Sequence, residues 1–273
     1  MRTPATVCSI AMMLAAPSVA VADDAASAEL PVALVERPMT SPQRALTFEA
    51  GLSIAMIPFV EPAQPFGSAA IGGRYGLTDD VTLTATPLSM EGQYGVEFGR
   101  FAVGLLDRVQ HGERAELGAG VELVVDPERG EVVLQPRIPL SLRFGAIARV
   151  DLGAQMAIRV GDVGFPTSLA AIDPLGVRLL PGIPLDATVQ FAPFLFAGIQ
   201  TGFGIRDLSK AAEHEFAKLG FTAGGTVPVH GAPVLDVIGR FEFPELLSSD
   251  PLVDGWLPQL WQAMLTLQAH VRI

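Results

Sequence analysis

The chain is nearly without cysteine: Cys8 is its single thiol, and it lies inside an apolar N-terminal stretch. Disulfides are thereby excluded as the source of stability for the rest of the molecule. Lysine is almost absent too, with Lys210 and Lys218 the only two, so arginine carries the remaining positive charge. Charged residues make up just 17%, and a formal net charge of -11 with a pI near 4.8 leaves no basic balance for a nucleic-acid partner. No later segment approaches the about 20 continuous apolar residues of a membrane-spanning helix. Yet hydrophobic residues account for 49% and the mean hydropathy is +0.41. Apolar content without an apolar helix has to be spread along strands.

What is present begins with an export signal. Arg2 precedes an apolar stretch from Val7 to Ala16, then Pro17 and the small triplet Ala20-Val21-Ala22 before Asp23 and Asp24. That order predicts a secretory signal peptide over residues 1–22, cleaved after Ala22, and its apolar part is too short for a spanning anchor. Residues 23–44 are rich in Ala, Asp and Pro without periodicity and read as a mobile periplasmic tail. Residues 45–273 show no break in composition and read as one domain.

The organising stretch of that domain runs from Arg137 to Val160. Its even positions include Ile138, Leu140, Leu142, Phe144, Val150, Leu152, Met156 and Ile158, whereas its odd positions include Arg137, Ser141, Arg143, Arg149, Asp151, Gln155 and Arg159. Only a period of two sorts residues in this way. With a reversal at Phe144-Gly145-Ala146, the pattern gives two long antiparallel strands, one face apolar and the other bearing arginine. That division suits a wall between lipid and a polar lumen.

The same alternation recurs along the chain. Leu46 to Met56 opposes apolar residues to Thr47, Glu49 and Ser53, and further strands follow at about 67–75, from Val81, from Tyr94 to Leu105 with a phase shift at Arg100, and from Leu117 to Val125. The run Asp107 to Arg114 reads as a turn. Later strands are expected over about 177–191, 195–205, 221–229 and 234–243, and from Leu265 to Ile273. Asp207 to Leu219 reads as the one helix, with Leu208, Ala212, Phe216 and Leu219 on one face and Gly220 to end it. The total is about twelve strands, an even number as single-chain outer-membrane barrels have. The expected fold is therefore all-β, a closed antiparallel transmembrane β-barrel with one short helix in an extracellular loop.

The signal peptide, strand-turn-strand units such as Gly73-Arg74-Tyr75-Gly76-Leu77-Thr78-Asp79-Asp80-Val81, and the alternating last strand together resemble bacterial outer-membrane β-barrel proteins of uncharacterised type. The likeness covers residues 45–273 as a pattern and carries no motif of a functional subfamily. It implies residence in the Gram-negative outer membrane, contact with outer-membrane lipid, and handling by the barrel-assembly machinery. Such barrels usually end in an aromatic residue; Ile273 stands in that place here.

Strand alternation assigns a set of charges to the lumen: Glu49, Glu97, Glu116, Glu122, Asp151, Asp186, Asp236 and Glu242 against Arg137, Arg143, Arg149, Arg159, Arg178, Arg240 and Arg272, with His270 on the same face. The near match in sign points to cross-strand ion pairs that stiffen a narrow lumen, or to a charge-lined path for small solutes. Glu116 and Glu122 are expected beside Arg137 and Arg143, and Glu49 beside Arg272. Neither a metal site nor a cofactor is indicated: His214 lies between Glu213 and Glu215, but adjacent positions on a helix point in different directions. The first functional reading is a narrow solute channel or a structural membrane component without enzymatic chemistry. Two alternatives stand beside it, an outer-membrane hydrolase of lipid or peptide using His270 or His214, and a soluble periplasmic β-sandwich or lipocalin-like binder.

Overall fold

A computed structural model describes residues 30–57, 64–92, 97–127, 131–160, 177–205, 208, 215–230, 232–248, 255–256 and 261–272. The expected signal peptide, the terminal Ile273 and His214 lie outside the described residues. In chain order the strands are β1 (Ala45–Ile57), β2 (Gln64–Gly76), β3 (Val81–Gly92), β4 (Glu97–Phe98), β5 (Phe101–His111), β6 (Ala115–Asp126), β7 (Glu131–Phe144), β8 (Ala148–Val160), β9 (Val177–Ala192), β10 (Leu195–Ile205), β11 (Glu215–Val229), β12 (Ala232–Ser248), β13 (Gly255–Trp256) and β14 (Gln262–Arg272).

Twelve of these are long and form the wall. Each pairs antiparallel with its neighbour, and β1 pairs β14 from Ala45↔Arg272 to Ala55↔Gln262, which closes the sheet on itself. The two-residue strands β4 and β13 merely extend the rim beside β3 and β12. The wall strands are 11 to 17 residues long, enough for a tilted crossing of a bilayer.

The alternation sorts residues as the sequence implies. On β1, Phe48 is 53% and Leu52 61% exposed, while Thr47, next to Phe48 and on the opposite face, is 5% exposed. Outward apolar side chains recur on the other wall strands, among them Ile138, Ile183, Phe203 and Phe221. A water-soluble protein does not expose a continuous apolar surface of this kind, and a lipocalin-like binder would hold its apolar face inside. The soluble alternative is thus overturned: the outside is greasy and the inside polar.

Proline and extra residues are absorbed at bulges. Ile71↔Leu88 is followed by Gly73↔Ala85, leaving Pro87 where no ladder donor is demanded. A second shift lies between Arg108 and Gln110 on β5, and a third at Val227/Pro228 on β11. Gly145, at φ +63°, makes the reversal between β7 and β8.

Three expectations need correction. The polar run from Asp107 does not turn: β5 continues to His111, and only Gly112–Arg114 reverse the chain. Glu215 to Leu219 are not helical but open β11, because Phe216, Lys218 and Gly220 also satisfy a period of two and the segment pairs with β10 from Ile205↔Glu215 onward. The ring of Phe216 lies over Gly204, where a Cβ would leave it no room. Asp207 and residues 209–214 of the expected helix lie outside the described residues, Leu208 stands in a 3-10 turn, and Leu34–Glu36 form another.

The third correction concerns the N-terminal segment. Leu30–Arg44 do not form a loose tail but fold into the barrel end that carries the chain termini and the short turns. In outer-membrane barrels that end faces the periplasm. Val35 is wholly buried, and Arg37 and Thr40 are 6% and 1% exposed. We refer to Leu30–Arg44 as the strap.

Candidate functional site

Among the described residues the lumen is where the wall brings polar chemistry together, and the strap forms its floor. From β1 the chain turns inward as Arg44 N–H donates to the Gly76 carbonyl. Gly76 is required here, since a Cβ would overlap the Pro42 carbonyl oxygen. Ser41 N–H then donates to Thr82 Oγ1 at 2.7 Å, Thr40 Oγ1 to the Asp79 carbonyl at 2.7 Å, and Met39 N–H to Glu116 Oε2 at 2.8 Å. Met39 Sδ would lie 2.7 Å from a Cβ on Gly118, so the strap depends on that glycine as well. The strap thus crosses from β3 to β6.

Arg37 fastens it on the opposite side. Its guanidinium pairs with Asp236 on β12, donating from Nη2 to Oδ1 at 2.9 Å and from Nη1 to Oδ2, and Nη2 also donates to Thr226 Oγ1 at 3.0 Å. Nε donates to the Pro31 carbonyl at 2.9 Å, folding the strap around its own arginine. Asp236 is fully buried and further bonded by Thr226 Oγ1 at 2.7 Å and His270 Nε2 at 2.7 Å. His270 Nδ1 in turn lies 3.1 Å from Thr47 Oγ1. A buried carboxylate is tolerated when paired and fully hydrogen-bonded, and Asp236 satisfies both conditions. This chain of bonds joins a hydroxyl, an imidazole and a carboxylate, yet Thr47 is 5% exposed and Asp236 is committed to the strap. It anchors the strap and offers no accessible nucleophile.

The wall around the floor is laced with ion pairs. Arg143 meets Glu116 at 2.8 Å, Arg108 meets Glu116 at 3.2 Å and Asp80 at 2.8 Å, and Arg149 meets Asp151 at 2.8 Å. At the other end of the barrel Arg159 approaches Glu131 at 3.6 Å, and Arg100 approaches Asp126 at 3.4 Å. Between these levels the pattern changes. Glu122, Arg137, Lys218, Arg240 and Glu242 make no ion pair among the described residues. Buried side-chain atoms there lack a protein partner, including Arg137 Nε, Thr84 Oγ1, Asp186 Oδ1, Gln200 Oε1, Thr222 Oγ1 and Arg240 Nε.

Two cavities flank the strap. One of about 420 Å3 is lined by Met39, Glu49, Arg74, Thr84, Glu122 and Arg137, among others. The other, about 340 Å3, is bounded by Val35, Arg37, Arg149, Asp151, Arg240 and His270.

The structure places Glu49, Glu116, Glu122, Arg137, Arg143, Arg149, Asp151, Arg159, Asp186, Asp236, Arg240, Glu242 and His270 on the inward parity of their strands, with Arg272 at the rim opposite Ala45. Arg178 is the cross-strand partner of Arg159, and Glu97 falls on the short β4. The partnership expected between Glu49 and Arg272 does not form: Gln268, directly opposite, donates to Glu49 at 3.0 Å, and Arg74 lies 3.7 Å away. Likewise Glu122 faces Gln135 rather than arginine, and Arg137 faces Gly120. Pattern reading missed Arg37, which has no periodicity to reveal it, Arg108, hidden in a supposed turn, and Glu131, which precedes the alternating stretch that begins at Arg137.

With this geometry in view, the chain defines a closed antiparallel transmembrane β-barrel of the bacterial outer-membrane type. No protein-family model matches it and no curated protein matches it by sequence. Solved structures do match in fold. An outer-membrane channel from Pseudomonas putida F1 is 13% identical at a TM-score of 0.59, covering 85% of this chain and 97% of that one. The NanC porin is 9% identical at a TM-score of 0.56, covering 82% and 98%. The KdgM porin, solved in complex with disordered oligogalacturonate, is 6% identical at 0.52, covering 82% and 98%. At such identities the likeness is one of fold.

Proposed function

We infer that the protein is a narrow solute channel of the outer membrane, with a charge-paired lumen and no enzymatic chemistry. The observation that carries this reading is the middle of the lumen. Cavities of about 420 and 340 Å3 reach toward it from beside the strap, lined by charged side chains of which Arg137, Glu122 and Arg240 have no ion-pair partner among the described residues. A barrel built solely as a structural element would fill its interior with interlocking side chains, as small barrels do. Unpaired polar groups facing a cavity are instead suited to hydration and to the passage of small hydrophilic solutes. The fold shared with outer-membrane channels supports the same conclusion.

The test is single-channel recording of the refolded protein in a planar bilayer, with heat-modifiable gel migration as the control for folding. Discrete conductance steps are expected once the strap is out of the floor. A folded barrel from which residues 30–40 have been deleted, and which still passes no current, would overturn the channel reading and leave a structural role.

A further inference from the structure

The strap touches the wall in two chemically different ways. The Arg37 side chain delivers a charge to Asp236. The Arg37 main chain delivers none, yet its carbonyl oxygen accepts from Arg143 Nη2 at 3.1 Å and from Arg149 Nη1 at 2.8 Å. Two guanidinium groups aimed at one neutral oxygen leave part of their capacity unused, because a carboxylate in its place would offer two acceptor oxygens and an opposite charge.

Arg143 and Arg149 are direct cross-strand partners on β7 and β8, so like charges are held side by side. Such a pair is unfavourable unless an acceptor lies between. Their neighbours balance them only when a carboxylate at the rim is counted. Arg108, Arg143 and Arg149 share the inward Glu116 and Asp151, and the remaining partner, Asp80, is 48% exposed at the rim. Arg143 Nε is also buried without a partner. One donor is therefore left over where the carbonyl sits, and the charges of the cluster cancel only through the solvent-screened Asp80.

We propose that Arg143 and Arg149 form a binding site for the carboxylate of a solute in the lumen, and that the Arg37 carbonyl holds this site in the solute's absence. Solute and strap then exclude one another. The solute's approach is the 340 Å3 cavity, which Arg37 and Arg149 both line. A ligand shifts an equilibrium only by its differential affinity for the two states, and here the pair is free in only one of them. A carboxylate solute therefore opens the floor that it must pass. This rests on the channel reading for the solute's route, but strap release can be read without any current.

Val35, wholly buried beside Arg37, is the reporter. Val35→Cys is introduced with Cys8→Ser, and labelling by a bulky hydrophilic maleimide is followed for the refolded protein in nanodiscs, where both mouths are open. Succinate is the probe, with chloride at equal ionic strength as its control. Labelling is expected to be slow in chloride, about tenfold faster in succinate at tens of millimolar, and fast in both when Arg37→Ala is added. Arg143→Gln with Arg149→Gln should abolish the difference between the two anions, and Arg149→Gln alone, which keeps the Arg143–Glu116 pair, should reduce it. Equal acceleration by chloride would reduce the effect to screening of the Arg37–Asp236 pair and overturn the site. So would succinate without effect on a strap that Arg37→Ala releases. Succinate-dependent labelling of a barrel that stays silent after strap deletion would sink the channel reading while leaving the site standing. Conductance without succinate dependence would do the reverse.

Discussion

The floor of the lumen and its middle are built from the same residue types, a few residues apart on the same strands, and are wired differently. At the floor, Asp236 holds Arg37, Thr226 and His270 at once, Glu116 holds Arg108, Arg143 and the Met39 amide, and Val35 and Thr40 are sealed from solvent. In the middle, Arg137 and Arg240 reach no described carboxylate, and acceptors on Asp186 and Gln200 are unanswered among the described residues. Charge alone does not make a lumen rigid or open. What decides is whether each charge finds its partner inside the protein, where removal of that partner is expensive, or is left to exchange with water and solute.

The comparison breaks most visibly at Asp236. Asp236→Ala strands the buried Arg37 guanidinium, a loss of about 3–5 kcal/mol for an uncompensated buried charge. Because the strap is no part of the strand ladder, most of that loss should appear as strap release and not as collapse of the wall. The expected result is a proteolytic cut within residues 30–44 of a barrel whose heat-modifiable migration is retained. An intact strap in that variant would show that Arg37 is not its fastening.

A smaller effect is expected at Glu116. Glu116→Gln keeps an acceptor for the Met39 amide but removes the charge shared by Arg108 and Arg143, a loss of about 1–3 kcal/mol. Urea unfolding of the barrel in lipid measures it, and a midpoint unchanged from wild type would mean that the floor is no more tightly wired than the middle.

These two sites also show where sequence reading succeeds and where it stops. Glu116 was legible as an inward residue because Leu117, Ala119, Val121 and Leu123 alternate around it. A period of two is a local property and survives without any knowledge of the fold. The partner of Asp236 was not legible, because Arg37 lies 199 residues away in a stretch with no period at all. The same limit explains the segment from Glu215 to Leu219, where a short run of Glu, Phe, Ala, Lys and Leu satisfies a helical and a strand period alike, and only pairing with β10 decides between them. Alternation thus located the wall and the side of it that residues such as Glu116, Arg143 and Asp236 occupy. Closure of the floor depends on long-range contacts that no local pattern encodes.

The smallest change in stability, and the most direct probe of passage, belongs to the middle. Arg137→Gln and Arg240→Gln together remove two cations that no described carboxylate holds. Their loss should shift the unfolding midpoint hardly at all, within about 0.5 kcal/mol as for side chains outside a bonded network. The acids Glu49, Glu122 and Glu242 remain on the same inner wall, so the field along the path turns more negative. In a strap-deleted channel under a potassium chloride gradient, the reversal potential should therefore move toward that of potassium. If the double variant instead destabilised the barrel as much as Glu116→Gln does, the middle would be a second structural network. The distinction between a floor that holds and a middle that passes would then fail at its weaker side.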